Sequence, residues 1–146
     1  MSDATSSSIA RLNSFLRGEL SAVETYQNVL REVTRVDTRF TLEDCARSHE
    51  SRAHCLREAI TLLGGTPAAG SGAWGAFAGL FGGAARAFGG RATLYALARG
   101  EDRGLRDYRD NFWRLDPKGK ELVEAVLLPA QERTRRAIHD LKRALA

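Results

Sequence analysis

Arg17-Gly18-Glu19-Leu20-Ser21-Ala22-Val23-Glu24-Thr25-Tyr26 is answered later in the chain by Arg99-Gly100-Glu101-Asp102-Arg103-Gly104-Leu105-Arg106-Asp107-Tyr108. Both stretches open on Arg-Gly-Glu and place a Tyr seven residues after the Glu. Seven residues make about two helical turns, so the carboxylate and the phenol share one helix face. That face is otherwise apolar. Ile9, Leu12, Leu16, Val23, Leu30 and Val33 lie on the first stripe, and Leu94, Leu97, Leu105, Phe112 and Leu115 on the second. In each copy a Glu stands where a core residue is expected. Two inward carboxylates in a helical bundle are what a dinuclear metal site needs, and burying them without a cation or hydrogen bonds is costly.

The same spacing runs outward through the rest of the chain. Ser6 to Ser8 offer N-caps for a first helix over about 7–35. Thr41 with Asp44 imitates a capping box, and Leu42, Cys45, His49, Arg52, Leu56, Ile60 and Leu63 carry a second helix over about 41–63, to the break at Gly64-Gly65-Thr66-Pro67. A crossover over 64–90 leads to a third helix over about 91–115, and Asp116-Pro117 opens a fourth over about 117–145. Nothing reads as strand. At 146 residues and 43% hydrophobic, the chain fits one core, so residues 1–146 are read as a single all-α four-helix-bundle domain with an up-down-down-up order.

A second layer of repetition links the even helices. His49-Glu50-Ser51-Arg52 with Leu56 aligns with Gln131-Glu132-Arg133-Thr134 and Ile138. Glu19 followed by Tyr26 resembles the first helix of the ferritin-like superfamily. Over most of its length the chain is similar to an uncharacterised bacterial family of ferritin-like proteins, which carries Arg-Gly-Glu in the first helix, Gly-Gly-Thr-Pro after the second and Gly-Ala-Trp-Gly in the crossover. Here the last of these is Gly72-Ala73-Trp74-Gly75. The resemblance implies a four-helix bundle with one long crossover from the second helix to the third. It implies metal ligands of one Glu from each of two helices and Glu-x-x-His from each of the other two.

Glu19 and Glu101 satisfy the first half of that ligand set. Where the two Glu-x-x-His pairs should stand, the stripe places His49 and Arg52, then Gln131 and Thr134. A guanidinium cannot ligate a metal, and its fork of donors can bridge Glu19 and Glu101 as a buried counter-charge. The leading expectation is therefore a degenerate centre without metal, with Arg52, Gln131 and Thr134 in a central polar layer and Tyr26 and Tyr108 bonded to its carboxylates. Two alternatives stay open. One is a metal-dependent oxidoreductase or metal-binding protein using iron, manganese or zinc, with Glu19, His49 and Glu101 as ligands and the two Tyr behind them. The other is a stress-associated module that binds a partner through the crossover or the fourth helix. A rotated register that turns Glu50 and His54 or Glu132 and His139 inward fails on spacing and would expose Leu56 and Ile138.

The remaining features narrow the function classes. Trp74, Phe77, Phe81 and Phe88 fall at helical spacing in the Gly-rich crossover, which reads as a short helix laid across the bundle. That run lacks the Leu, Ile and Val density of a transmembrane span. Arg133, Arg135, Arg136, His139, Lys142 and Arg143 crowd the end of the fourth helix, where they complement its macrodipole, and no aromatic residues interleave for base stacking. His54 and His139 read as lying on solvated faces. No nucleophile set and no phosphate loop is present. The Met1-Ser2-Asp3 start lacks a secretion signal, and Cys45 and Cys55, about 15 Å apart along one helix, read as reduced thiols, so a cytoplasmic location is expected. A homodimer through exposed helix faces is compatible with this surface.

Overall fold

In the computed structural model, residues 1–72 and 90–145 are described. They form an all-α four-helix bundle: α1 (Asp3–Leu30), α2 (Val36–Leu62), α3 (Gly90–Asn111) and α4, which runs over 117–144. No strand occurs among the described residues. The crossover helix expected from Trp74 to Phe88 lies outside them.

Most helix ends differ from the sequence expectation, for reasons that lie in single side chains. Ser2 caps α1, its Oγ accepting from Thr5 N at 3.1 Å, and Ser8, expected among the caps, is buried inside the helix. α1 stops at Leu30 rather than near 35 because Arg39 turns back from α2 and donates to the carbonyls of Leu30 and Val33 at 2.6 and 2.9 Å. That clamp holds a tight loop, and α2 begins at Val36 rather than at the capping box expected at Thr41, whose hydroxyl donates back to Asp37 O. At its far end Gly64 takes φ +82°, a left-handed conformation suited to Gly, and the chain reverses with Gly65 N donating to Ile60 O at 3.0 Å. Gly65 then packs against Ile9, where a Cβ would come within 2.7 Å of a methyl carbon.

α3 ends at Asn111 and yields to a 3-10 turn over Phe112–Arg114 instead of continuing to 115. Asp116 precedes α4, but its carboxylate is engaged elsewhere. Ser8 Oγ donates to Asp116 Oδ1 at 2.7 Å and accepts from Asp116 N at 3.1 Å, tying the start of α1 to the start of α4. α4 is α-helical over Pro117–Leu122, widens to a π-helix over Val123–Leu127, and is α-helical again over Leu128–Ala144. Pro129 lacks the N–H that would close an ordinary turn, and the wider turn before it rotates the helix just ahead of Gln131 and Thr134.

α1 and α2 run antiparallel through their tight loop. α3 and α4 do the same, since Asp102 meets Arg135 and His139 while Arg109 meets Glu132. α1 also opposes α3, with Tyr26 facing Glu101 and Tyr108 facing Glu19. The order is thus up-down-down-up. After α2 the chain climbs back along α1: Asn13 Nδ2 donates to Thr66 O at 3.0 Å, Ala68 N donates to Asn13 Oδ1 at 2.7 Å, and Ser71 Oγ donates to the Glu24 carboxylate. Among the described residues the apolar core has two halves. One is built around Leu12, Leu16, Leu56, Ile60, Val123 and Leu127, the other around Tyr26, Leu42, Leu94, Leu97 and Ile138. The polar layer sits between them.

Candidate functional site

Each helix sends its inward polar residues to the same level. α1 supplies Glu19 and Tyr26, α2 supplies His49 and Arg52, α3 supplies Glu101 and Tyr108, and α4 supplies Gln131 and Thr134; all are buried. These are the residues the sequence singled out.

His49 lies at the centre. Its Nδ1 is 2.6 Å from Glu19 Oε2 and its Nε2 is 2.8 Å from Glu101 Oε1. A neutral ring would turn a lone pair toward one of these carboxylates, so both nitrogens carry hydrogens and the ring is an imidazolium, a proton assignment that follows from the hydrogen-bond network. Burial alone would lower the imidazole pKa, but the charges of Glu101 and Glu19 outweigh it and raise the value above the ordinary 6.5. The carboxylates respond in kind. Burial pushes Glu19 up, but the charges of Arg52 and His49 prevail and hold it below its ordinary value. Glu101 follows the same pattern, with His49 its principal partner.

The tyrosines cross over. Tyr26 donates to Glu101 Oε1 and Tyr108 to Glu19 Oε1, each at 2.6 Å, so each phenol serves the carboxylate of the other repeat. Burial first, and then the adjacent carboxylate, raise both phenol pKa values well above the ordinary range. Tyr26 also stacks on the His49 ring at 5.3 Å between centroids. Cys45 sits beside Tyr26, and burial followed by the Glu101 charge pushes its thiol up to about 12, so the thiol is neutral.

Arg52 departs from the sequence expectation. It was expected to bridge the two carboxylates, and it reaches only Glu19, with Nη1 at 3.4 Å from Oε1. Its other donors go to Gln131 Oε1, to Thr134 Oγ1 at 3.1 Å, and to Ser48 Oγ and O at 3.4 and 3.3 Å. Glu101 is closed to it because Gln131 Nε2 and Thr134 Oγ1 both donate to Glu101 Oε2 at 2.8 Å. The bridge between the carboxylates is the imidazolium. Ser48 went unnoticed in the sequence, although its position one turn before Arg52 was a usable signal. His139, expected in solvent, is partly buried and lies 2.9 Å from Asp102 Oδ1, which also accepts from Arg135.

The charges of this layer close on themselves: two carboxylates against one imidazolium and one guanidinium. Every carboxylate oxygen receives at least one hydrogen bond from the protein, and both imidazole nitrogens are committed. As arranged, this donor set does not fit a dinuclear metal centre, which needs lone pairs free to converge on each ion. Among the described residues no group of three or more His, Cys, Asp or Glu side chains is placed so as to hold a metal ion, and no helix among them is long and apolar enough to cross a membrane.

The four-helix bundle has a ferritin-like fold. Among solved structures, a ferritin-like, diiron-carboxylate protein from Bacillus anthracis str. Ames is similar over 97% of this chain and 99% of its own, with a TM-score of 0.76 and 20% sequence identity. Residues 7–112 match the family described as Domain of unknown function (DUF2383), and the chain belongs to it. No curated protein matches.

Proposed function

We propose that residues 1–146 form a single, non-catalytic ferritin-like domain whose central site is degenerate: an imidazolium and a guanidinium stand as the cations opposite Glu19 and Glu101. The observation that carries this reading is His49, which engages one carboxylate with each ring nitrogen at 2.6 and 2.8 Å. An imidazolium has no lone pair for a metal. The solved relative is titled a diiron-carboxylate protein; where the superfamily resemblance implies two Glu-x-x-His pairs, this chain holds His49 and Arg52, then Gln131 and Thr134, none of which supplies an anionic donor. The polar layer then serves to fix helix register between two apolar half-cores, a use for which buried polar groups are well suited. The function of such a domain resides in its surface, as an interaction module or homodimer in the cytoplasm.

The competing reading is an iron- or manganese-dependent oxidoreductase with Glu19, His49 and Glu101 as ligands. Oxygen uptake on mixing with aerated buffer, after the protein has been loaded with ferrous iron under anaerobic conditions, separates the two. The proposed reading expects the same rate with wild type, with Glu19→Ala and with buffer. Protein-dependent uptake that disappears in Glu19→Ala would establish the oxidoreductase instead.

A further inference from the structure

Arg52 is enclosed by oxygen atoms, and those of Gln131 and Thr134 are held in place by contacts other than Arg52 itself. The guanidinium, 1% exposed, faces Glu19 Oε1, Gln131 Oε1, Thr134 Oγ1 and both the hydroxyl and carbonyl oxygens of Ser48. Every acceptor is oxygen. The His49 nitrogens point away, to the carboxylates, and Gln131 is held with its oxygen toward Arg52 because its Nε2 donates to the carbonyl and carboxylate of Glu101 at 2.9 and 2.8 Å. Thr134 is fixed likewise: its hydroxyl lies 2.8 Å from Glu101 Oε2, nearer than the carbonyls of Ala130 and Gln131 at 3.3 and 3.2 Å, so its hydrogen is assigned to Glu101 and a lone pair is left for the guanidinium. Side chains other than Arg52 therefore orient this cradle.

We infer that the oxygen cradle around Arg52 is a cation site whose resident cation is the chain's own guanidinium, and that a hard metal cation takes it when the guanidinium is removed. The inference rests on the metal-free reading of the wild-type layer. An all-oxygen set of one carboxylate, one amide oxygen, hydroxyls and a backbone carbonyl is the donor chemistry of alkali, Mg2+, Ca2+ and Mn2+ ions, and lacks the soft or nitrogen donors that favour later transition metals. Removing Arg52 leaves the layer one positive charge short. A monovalent ion restores neutrality, while a divalent ion exceeds it by one.

The test is the thermal midpoint of Arg52→Ala and Arg52→Gln, with wild type alongside, at constant ionic strength set with tetramethylammonium chloride. NaCl, KCl, MgCl2, CaCl2, MnCl2 and ethylguanidinium chloride are titrated separately. Arg52→Gln keeps an amide able to bond Thr134 if the alanine variant does not fold. The inference expects a saturable rise of about 5 °C or more with at least one metal cation in a variant, absent in wild type and lost when Gln131→Leu is added. The alkali and divalent arms show which charge the cradle takes. Variants unmoved by all five metals, unfolded in all of them, or raised by ethylguanidinium alone would overturn it. Metal uptake by wild type would overturn the metal-free reading instead.

Discussion

At the scale of single residues the layer depends on matching two buried anions with two buried cations. Breaking such a set by deleting one member strands an uncompensated charge, so Arg52→Ala is expected to destabilise the fold by about 3–5 kcal/mol in urea denaturation. A neutral effect would contradict the role given to the guanidinium. His49 makes the layer sensitive to pH. Glu19 and Glu101 from α1 and α3 face it, Tyr26 stacks on it, and Arg52 and Cys45 share its helix. Its pKa is raised above 6.5, so its contribution is complete below that value and is lost as pH rises through the folded-state pKa. The two carboxylates are held below 4.5, so theirs is complete above that value and is lost as pH falls through their folded-state values. Urea midpoints should form a plateau between these limits and fall on both sides, and His49→Gln should flatten the alkaline fall while keeping the acid one. An alkaline limb unchanged in that variant would contradict the imidazolium assignment. The residues of the layer were legible in the sequence because a seven-residue period puts Glu and Tyr on one face. Their pairing was not. The crossed contacts of Tyr26 with Glu101 and Tyr108 with Glu19 depend on the stagger between α1 and α3, which no single stripe encodes.

At the scale of elements, the helices and their order followed from the stripes, but their ends did not. The α1 end is set by Arg39, which reaches back from the following helix to cap Leu30 and Val33, and the start of α4 is tied to Ser8, far away in sequence. The π-helical turn over Val123–Leu127 likewise left only Pro129 as a sign. Packing divides the repeat's glycines. A Cβ at Gly104 would lie 2.7 Å from Gln131 Nε2, the nitrogen that holds Glu101, whereas at Gly18 and Gly100 it would meet nothing within 4 Å. Gly104→Ala should therefore displace Gln131 and cost about 1–3 kcal/mol. Gly18→Ala and Gly100→Ala, both inside helices, should each stabilise by about 0.5–1 kcal/mol. Equilibrium denaturation of the three variants checks the contrast, and equal effects at positions 100 and 104 would contradict the assigned packing.

At the scale of the whole molecule, two apolar half-cores are joined through one ionic layer contributed by all four helices, and the internal repeat is visible in both the sequence and the crossed tyrosines. The scaffold is ferritin-like, and in the proposed reading the cations at its centre belong to the chain itself. Metal content tests that claim most directly: protein expressed in medium supplemented with iron, manganese and zinc, purified without affinity tags or chelators, and measured by elemental analysis beside Glu19→Ala. The account predicts folded wild-type protein with no stoichiometric metal and no difference between the two. Two equivalents of iron or manganese per chain, lost in Glu19→Ala, would contradict it.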